Sequence, residues 1–270
     1  MGNRRQGAGR PAAKDRPRRR GGSPTGVERG SRLAQVAAIT GASSGIGRAV
    51  ARHFLRAGGP VALLARRGGL LDELLGQERP GGGDAWACPG DATDPAAVQA
   101  FVDGTVARFK RLDVLVLAVG WNVPDRALTS ITPERFRSLI DANLHSAFLA
   151  THAALPHLRR QEGGLIIYIS SVSAIAPDAS GAAYQAAKHG LTGLANAVRF
   201  EEQRHGIRAS LICPGVVDTP LLRQRPQPPA PQDLARALQP EDVAAACAFL
   251  AELPPRAVVP ELVIRPTLLT

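Results

Sequence analysis

The chain has 270 residues, of which 44% are hydrophobic and 4% aromatic, and its formal net charge is +10. This length suits one large domain with a tail, and no apolar run is long enough to predict a membrane-spanning helix. The scarcity of aromatic residues argues against a surface built to stack nucleic-acid bases. The three cysteines are odd in number and far apart, so we expect neither a disulfide framework nor a metal knuckle, and a reducing, cytoplasmic setting.

The positive charge is concentrated at the amino end of the chain. Residues 1–32 hold ten Lys/Arg and two acidic residues, a net charge of +8, and the remaining 238 residues carry only +2. This segment is rich in Arg, Gly and Pro and poor in large apolar residues, so it is predicted to be disordered. We interpret it either as a solvated tail or as a polyanion-binding arm. Nucleic-acid binding is not expected beyond weak electrostatic attraction by this tail.

From residue 33 to residue 270, short apolar runs alternate with helical periodicity. Seven strands are predicted, at Val36–Ile39, Val61–Leu64, Ala85–Cys88, Val114–Ala118, Leu165–Ile169, Arg208–Cys213 and Leu262–Ile264. Strands that are apolar on both faces and alternate with helices indicate a parallel sheet covered on both sides. We therefore expect a single α/β domain with a doubly wound, Rossmann-type sheet.

Helices are predicted between these strands. The first follows the recurrence of Ile46, Val50 and Phe54 at every fourth position, which places them on one helix face. The other helices are expected at about 69–78, 95–110, 133–158, 182–204 and 240–252. The Pro/Gln-rich stretch Arg223–Gln232 is predicted to be a loop, and the substrate loop is expected near 219–240.

A glycine-rich turn follows the first strand and reads Thr40-Gly41-Ala42-Ser43-Ser44-Gly45-Ile46-Gly47. Glycines let the backbone approach a pyrophosphate, and the helix that begins here points its free N–H groups at the phosphate. The turn therefore predicts a dinucleotide site. Its spacing resembles that of the short-chain dehydrogenase/reductase (SDR) family. The residues of this turn expected to contact the cofactor are Gly41, Ser43, Ser44, Gly45, Ile46 and Gly47.

The residues after the second strand favour NADP(H) over NAD(H). An acidic residue at this position of a Rossmann fold accepts a hydrogen bond from the ribose 2′-hydroxyl. Here the chain has Ala65 and then Arg66 and Arg67, and guanidinium groups suit a 2′-phosphate. We expect Arg66 to be the main ligand. Asp91, followed by Ala92, resembles the family's aspartate at the adenine edge, although it also suits a turn or helix-cap aspartate.

Tyr184 and Lys188 are four residues apart and share one face of a predicted helix. Ser171 precedes Tyr184 by the spacing that the SDR family uses, with Ser170 as a neighbouring alternative whose side chain should point the other way. Asn143 matches the family's fourth catalytic position. The resemblance implies that Asn143, Ser171, Tyr184 and Lys188 form the catalytic group, and no metal is expected.

The chemistry of ketone reduction explains these residue types. Negative charge develops on the carbonyl oxygen, so Tyr184 would donate the proton, or accept it in the oxidative direction. The Lys188 ammonium is expected to lower the pKa of the phenol. By resemblance, Lys188 would also bond the nicotinamide ribose beside Tyr184, Ser171 would orient the carbonyl, and Asn143 would hold a water.

The segment after the sixth strand resembles the part of the family that holds the nicotinamide. It supplies Pro214, Gly215, Val217 and Thr219, with backbone groups of Val217 expected to bond the carboxamide. The fourth strand departs from the family, because Leu117-Ala118-Val119-Gly120 replaces the usual Asn-Asn-Ala-Gly. Backbone contacts at Ala118 and Gly120 need no side chain, so we expect weaker cofactor binding or local repacking rather than loss of function.

The resemblance covers about residues 35–222, and the C-terminal residues 253–262 are similar to the branch of NADP-dependent 3-hydroxy-acid dehydrogenases. The expected activity is NADP(H)-dependent hydride transfer to or from a carbonyl or secondary-alcohol substrate. The alternative is a catalytically silent NADP-binding sensor. No basic substrate patch is evident in the sequence, so a small or medium-sized neutral carbonyl compound is expected, with Trp121 and Pro124 lining its pocket. By resemblance, the protein would form a homodimer or homotetramer.

Overall fold

The computed structural model describes residues 1–2, 35–78, 84–227 and 229–268. Seven strands form in this part of the chain: β1 Ala37–Thr40, β2 Val61–Ala65, β3 Ala85–Pro89, β4 Val114–Leu117, β5 Gly164–Ile169, β6 Ile207–Pro214 and β7 Glu261–Ile264. They make one sheet in the order β3-β2-β1-β4-β5-β6-β7, with parallel pairing throughout. The strand order reverses between β1 and β4, which creates the crevice where ligands bind in doubly wound sheets. The predicted fold class is confirmed.

Eight α-helices connect or flank the strands in the described ranges: α1 Gly45–Arg56, α2 Gly68–Glu78, α3 Pro95–Phe109, α4 Pro133–Ile140, α5 Ser146–Arg160, α6 Ala182–Glu202, α7 Pro231–Leu234 and α8 Pro240–Glu252. Asp94 caps α3 by accepting a hydrogen bond from the N–H of Ala96, and Thr132 caps α4 through the N–H of Arg135. In each case proline occupies the first turn, where its missing N–H costs nothing.

The sheet separates two apolar layers. One layer packs α1, α2 and α8 against residues such as Ile39, Leu63 and Ile167, and the other packs α3, α5 and α6 against Leu115 and Ile166. β1, β2 and β4 are buried along their whole length. Alternate residues of each strand therefore enter opposite layers, as expected for a parallel sheet covered on both faces.

The helix predicted over 133–158 is not continuous. α4 and α5 are separated by one π-helical turn, Asp141–His145, and α5 continues through Pro156 to Arg160. Such turns are frequent at functional sites, because they change the direction in which a side chain projects from a helix. This turn contains Asn143.

Two of the predicted irregular segments, the N-terminal tail and the loop after β6, compare with the structure as follows. Apart from residues 1 and 2, the segment 1–32 lies outside the described residues. The loop predicted at Arg223–Gln232 instead carries two short helical pieces, Leu222–Gln224 and α7, with residue 228 outside the description. No helix in the described ranges is both long enough and apolar enough to cross a membrane.

Candidate active site

The larger of two neighbouring cavities, about 620 Å³ in volume, runs along the carboxyl ends of the parallel strands. Its lining comes from the carboxyl ends of β1 to β6 and the segments that follow them, together with the end of α4, the residues after it and the beginning of α6. The predicted site residues that line it are Gly41, Ser43, Ser44, Gly45, Ile46, Arg66, Asp91, Ala92, Ala118, Gly120, Tyr184, Lys188 and Thr219.

The glycine-rich turn permits close approaches that side chains would block. A Cβ on Gly41, whose φ is +71°, would lie 2.8 Å from the carbonyl oxygen of Ala118. A Cβ on Gly47 would lie 2.4 Å from the carbonyl oxygen of Gly41. Ser44 occupies the cap position of α1, and its side chain makes no capping hydrogen bond. The first N–H groups of α1 therefore remain available to an anionic ligand beside the turn.

The two arginines after β2 make different contacts. Arg67 donates hydrogen bonds from Nη2 to Oγ of Ser43 at 3.0 Å and to Oγ of Ser44 at 2.8 Å. Arg66 is largely exposed, and its Nη1 lies 4.0 Å from a carboxylate oxygen of Asp91. Both arginines line the larger cavity. The contact of Arg67 with the serines of the glycine-rich turn was not expected from the sequence.

Asp91 lies in a turn rather than at the cap of α3. Its Oδ1 accepts hydrogen bonds at 2.9 Å from both the N–H and the hydroxyl of Thr93. Burial acts to raise the pKa of Asp91, but the two bonds from Thr93 and the charge of Arg66 leave the pKa lowered. The carboxylate is therefore held ionised and in a fixed orientation beside Ala92.

Tyr184 and Lys188 lie one turn apart near the start of α6. The Lys188 ammonium is buried, lies 5.4 Å from the centre of the Tyr184 ring, and donates a hydrogen bond to the carbonyl of Ile169 at 3.0 Å. The hydroxyl of Ser170 donates to the carbonyl of Lys188, and Ser170 lines both cavities, whereas Ser171 lines only the second. Tyr184 lines both cavities.

The pKa of Tyr184 differs from the sequence-based expectation. Burial raises it to about 12, although hydrogen bonding with Ser171 and the charges of Arg225 and Arg126 act to lower it. Burial also lowers the pKa of Lys188 to about 8. Lys188 is not among the groups that lower the pKa of Tyr184, contrary to the expectation from the sequence. The ammonium lies over the ring and is bonded to a backbone carbonyl, so loss of hydration dominates.

Asn143 is buried behind Gly120 rather than exposed in either cavity. Its Nδ2 donates to the carbonyls of Trp121 at 2.8 Å and Leu139 at 2.9 Å, and its Oδ1 accepts from the N–H of Trp121. A Cβ on Gly120 would lie 2.9 Å from Asn143 Oδ1 and 3.5 Å from Lys188 Nζ. Asn143, Gly120 and Lys188 are thus close together, and Asn143 fixes the backbone that follows β4.

The segment after β6 presents the N–H of Val217 beside the cavities. Asp218 N–H donates to the carbonyl of Leu238, and Leu238 N–H donates to the carbonyl of Val216. The N–H of Val217, which lies between these bonds, has no hydrogen-bond partner among the described residues. Thr219 approaches the glycine-rich turn, since a Cβ on Gly45 would lie 3.3 Å from Thr219 Cγ2.

The second cavity, about 420 Å³, shares Ile46, Ser170, Tyr184, Thr219 and Leu221 with the larger one. Of the predicted set, Ser171, Pro214, Gly215 and Val217 line the second cavity alone. Ser171 belongs to a hydroxyl cluster, because its Oγ donates to Ser173 Oγ at 3.0 Å, and Ser173 donates in turn to Asp178 at 2.6 Å. Of the predicted site residues, only Gly47 and Asn143 line neither cavity; both are buried beside residues that do.

Comparison with known proteins assigns the family. The family model described as short chain dehydrogenase matches residues 35–230. The chain belongs to the short-chain dehydrogenase family. Relatives of this short-chain dehydrogenase include L-fucose dehydrogenase of Oryctolagus cuniculus, 36% identical over 82% of this chain and 81% of the relative. Another is cis-4-hydroxycyclohexanecarboxylate dehydrogenase of Sinomonas cyclohexanicum, 34% identical over 80% and 89%.

A solved structure agrees with the assignment. A metagenomic short-chain oxidoreductase in complex with NADP is 34% identical, with a TM-score of 0.75, and is matched over 87% of this chain and 98% of that one. The short-chain dehydrogenase described here is therefore an oxidoreductase by family, with a Rossmann-type sheet.

The sequence did not indicate every residue that the structure brings to the site. Arg126, Arg225 and Arg265 line the second cavity, although they come from distant parts of the chain. Arg126 and Arg265 have no other arginine close by in the sequence, and Arg225 follows Arg223 in a loop, so no motif marks the three. Of the two residues expected in the substrate pocket, Trp121 lines the larger cavity and not the second, and Pro124 lines neither.

Proposed function

We propose that this short-chain dehydrogenase transfers a hydride between NADP(H) and a carbonyl or secondary-alcohol substrate, with Tyr184 as general acid or base. The observation that carries the proposal is the position of Tyr184. Its side chain lines the larger cavity together with Lys188 and the smaller one together with Ser171. This one residue therefore borders both the space suited to a dinucleotide and the space suited to a small substrate.

The larger cavity fits a nicotinamide dinucleotide. The close approaches at Gly41 and Gly47 leave backbone where a pyrophosphate can lie, and the free N–H groups of α1 favour its charge. Arg66 and Arg67 supply two guanidinium groups for a 2′-phosphate, with Arg66 as the main ligand, and the N–H of Val217 supplies a donor for the carboxamide. When bound, the cofactor supplies or accepts the hydride.

The protein's own residues handle the proton and the orientation of the substrate. Ser171 would donate a hydrogen bond to the carbonyl oxygen, and Tyr184 would deliver the proton to that oxygen as the carbonyl is reduced. Lys188 would bond the nicotinamide ribose and stabilise the phenolate that forms. Asn143 would hold the backbone at Trp121 and a water that links Lys188 to solvent.

The relatives are named as dehydrogenases of a sugar, L-fucose, and of a hydroxy acid, cis-4-hydroxycyclohexanecarboxylate. We propose that this chain likewise acts on a hydroxyl group or the corresponding carbonyl. Ser171, Tyr184 and Lys188 are all present and lie close together, which favours an enzyme over a silent NADP sensor. A homodimer or homotetramer is proposed from the family resemblance.

The test combines one variant with two cofactors. A panel of ketones is assayed with NADPH and with NADH, and Tyr184→Phe is compared with the wild-type protein. Loss of the proton donor should lower kcat by about 10²- to 10⁴-fold. The affinity for NADPH, measured by calorimetry, should change by less than about threefold, because the hydroxyl contributes little to cofactor binding.

Two results would contradict this proposal. Ketone reduction by Tyr184→Phe at the wild-type rate would remove Tyr184 from the mechanism. A higher kcat/KM with NADH than with NADPH would contradict the proposal that Arg66 binds the 2′-phosphate. Ser138→Ala serves as a control for both measurements, because Ser138 lines the same cavity and its hydroxyl is already bonded to a backbone carbonyl.

A further inference from the structure

The second cavity is unusually rich in positive charge for a site of its size. Three arginines line it, Arg126, Arg225 and Arg265, and Asp178 is the only acidic residue of the lining that the structure describes. The Asp178 carboxylate is already engaged, because it accepts hydrogen bonds from the hydroxyl of Ser173 at 2.6 Å and from the N–H of Ser180 at 2.9 Å. The cavity therefore carries an excess of cationic groups.

Arg126 is the most informative of the three. Only 8% of its surface is exposed, and its buried Nε has no hydrogen-bond partner. Among the described residues, none of its guanidinium nitrogens makes a hydrogen bond or an ion pair, with Asp178 included. Burial of an unpaired guanidinium costs free energy, and buried polar groups without partners are rare. A group held in this state is expected to meet its partner from outside the chain.

The surrounding backbone holds Arg126 in this position. Gly181, at φ +86°, packs directly against Arg126. A Cβ added to Gly181 would lie 2.4 Å from the carbonyl oxygen of Arg126 and 2.8 Å from the Cβ of Arg126. Asn122, which precedes this segment, donates to the carbonyl of Ser180 at 2.9 Å. The segment that leads into α6 and the loop that carries Arg126 are therefore joined, and the backbone of Arg126 is held beside the cavity.

The charges of this cavity act on one another and on the proposed acid. Burial lowers the pKa of Arg126, and the charge of Arg225 lowers it further, whereas Asp178 and Tyr184 oppose this effect. Arg126 and Arg225 both act to lower the pKa of Tyr184. The two guanidinium groups thus lie within electrostatic reach of each other and of the phenol. An anion placed between them would relieve their repulsion while lying beside the reacting hydroxyl.

We propose that the second cavity binds the carboxylate of a keto acid or hydroxy acid substrate, held by Arg126 with support from Arg225 on the loop after β6. This inference rests on the proposed function for the identity of the reacting carbonyl. A planar guanidinium matches a carboxylate with two parallel hydrogen bonds, and a cavity of about 420 Å³ suits a small organic acid. The neutral substrate expected from the sequence is replaced by an anionic one.

The test compares acids with their uncharged esters. Pyruvate, acetoacetate and levulinate differ in the distance between ketone and carboxylate, and each is assayed with NADPH beside its methyl ester. The wild-type protein should prefer at least one acid over its ester. Arg126→Met should lower kcat/KM for that acid by about 10- to 100-fold and for the ester by less than about threefold, because only the charge-assisted hydrogen bonds are lost.

Two further variants serve as a second measurement and a matched control. Arg225 and Arg223 are both exposed and lie two residues apart, but only Arg225 lines the second cavity. Arg225→Gln should lower kcat/KM for the acid by about three- to tenfold, and Arg223→Gln should leave it unchanged. Since neither side chain is buried, both variants should fold even if Arg126→Met does not.

Binding without turnover separates this inference from the proposed function. Levulinate is titrated calorimetrically into Tyr184→Phe loaded with NADP⁺, with and without Arg225→Gln. Binding that weakens with Arg225→Gln supports the carboxylate site, even if the wild-type protein reduces no ketone and the proposed function fails. An equal preference for acids and esters in the wild-type protein and all arginine variants overturns the carboxylate site and leaves the proposed function standing.

Discussion

Tyr184 shows how burial and neighbouring charge compete at one residue. The phenol lies beside Lys188, Arg126 and Arg225, yet burial leaves its pKa at about 12. The neutral form of the phenol is therefore favoured, which suits a proton donor. For the oxidative direction the phenol must lose its proton. We therefore expect the rate of alcohol oxidation to rise with pH over the neutral to alkaline range.

The raised pKa can be measured directly, because the chain has only two tyrosines. Burial raises the pKa of Tyr168 further still. In an alkaline titration followed by phenolate absorbance, the folded protein should show little ionisation at about pH 10, where a free phenol is half ionised. The same titration in guanidinium chloride should show both tyrosines ionising near pH 10.

Ionisation of Tyr184 also makes the stability of the fold depend on pH. Since the folded pKa of Tyr184 lies above the unfolded value, its neutral phenol stabilises the fold below about pH 10, and this contribution is lost as pH rises towards 12. Tyr184→Phe should remove the lower of the two folded-state transitions. A transition near pH 10 in the folded wild-type protein would show that burial of this hydroxyl is not the dominant influence.

At the scale of elements, the turn between β1 and α1 depends on glycines that permit close contacts between backbone segments. Gly47 lies in the first turn of α1 and is packed so closely on Gly41 that no side chain fits. The contact joins the helix start to the end of β1 and positions the free N–H groups over the larger cavity. The π-helical turn Asp141–His145 has a comparable effect, since it directs Asn143 towards the backbone after β4.

Gly47→Ala tests the first of these elements. The added methyl group would lie 2.4 Å from a backbone oxygen, so the turn must shift. We expect the free energy of unfolding to fall by about 1–3 kcal/mol and the affinity for NADPH to fall at least tenfold. Urea unfolding and calorimetric titration of NADPH provide the two measurements.

Gly76→Ala is the matched control for this substitution. Gly76 lies inside α2, and a Cβ there would meet no atom within 4 Å. The change should stabilise the protein by about 0.5–1 kcal/mol, because alanine favours helix, and should leave NADPH binding unaltered. Equal effects of the two substitutions would show that the close contact at Gly47 is unimportant.

At the scale of the whole molecule, most of the positive charge and the candidate active site come from different parts of the sequence. Residues 1–32 carry a net charge of +8, whereas the candidate site draws its residues from positions 41–266. Removal of residues 1–32 should therefore change kcat/KM by less than about twofold. Retention on a heparin column, followed against salt concentration, should decrease strongly. If the truncated protein binds heparin as the full chain does, the positive charge that matters lies elsewhere.

Much of the fold could be predicted because its signals are local. Apolar runs such as Val61–Ala65 must be buried, and the recurrence of Ile46, Val50 and Phe54 gives α1 its inward face. The break at Asp141–His145 could not be predicted, because the apolar periodicity continues across it. The effect of the Leu117-Ala118-Val119-Gly120 departure on cofactor affinity stays a prediction.

The sequence by itself determined the strand and helix order, the glycine-rich turn, and the Ser171, Tyr184 and Lys188 set, since each depends on residue type at a short or regular spacing. Only the tertiary structure decided which groups the arginines contact and which arginines line the same cavity. Arg67 reaches the serines of the glycine-rich turn, and Arg126, Arg225 and Arg265 converge on the second cavity. The physical reason is that burial and electrostatic reach depend on distances between segments far apart in the chain, and no local pattern encodes those distances.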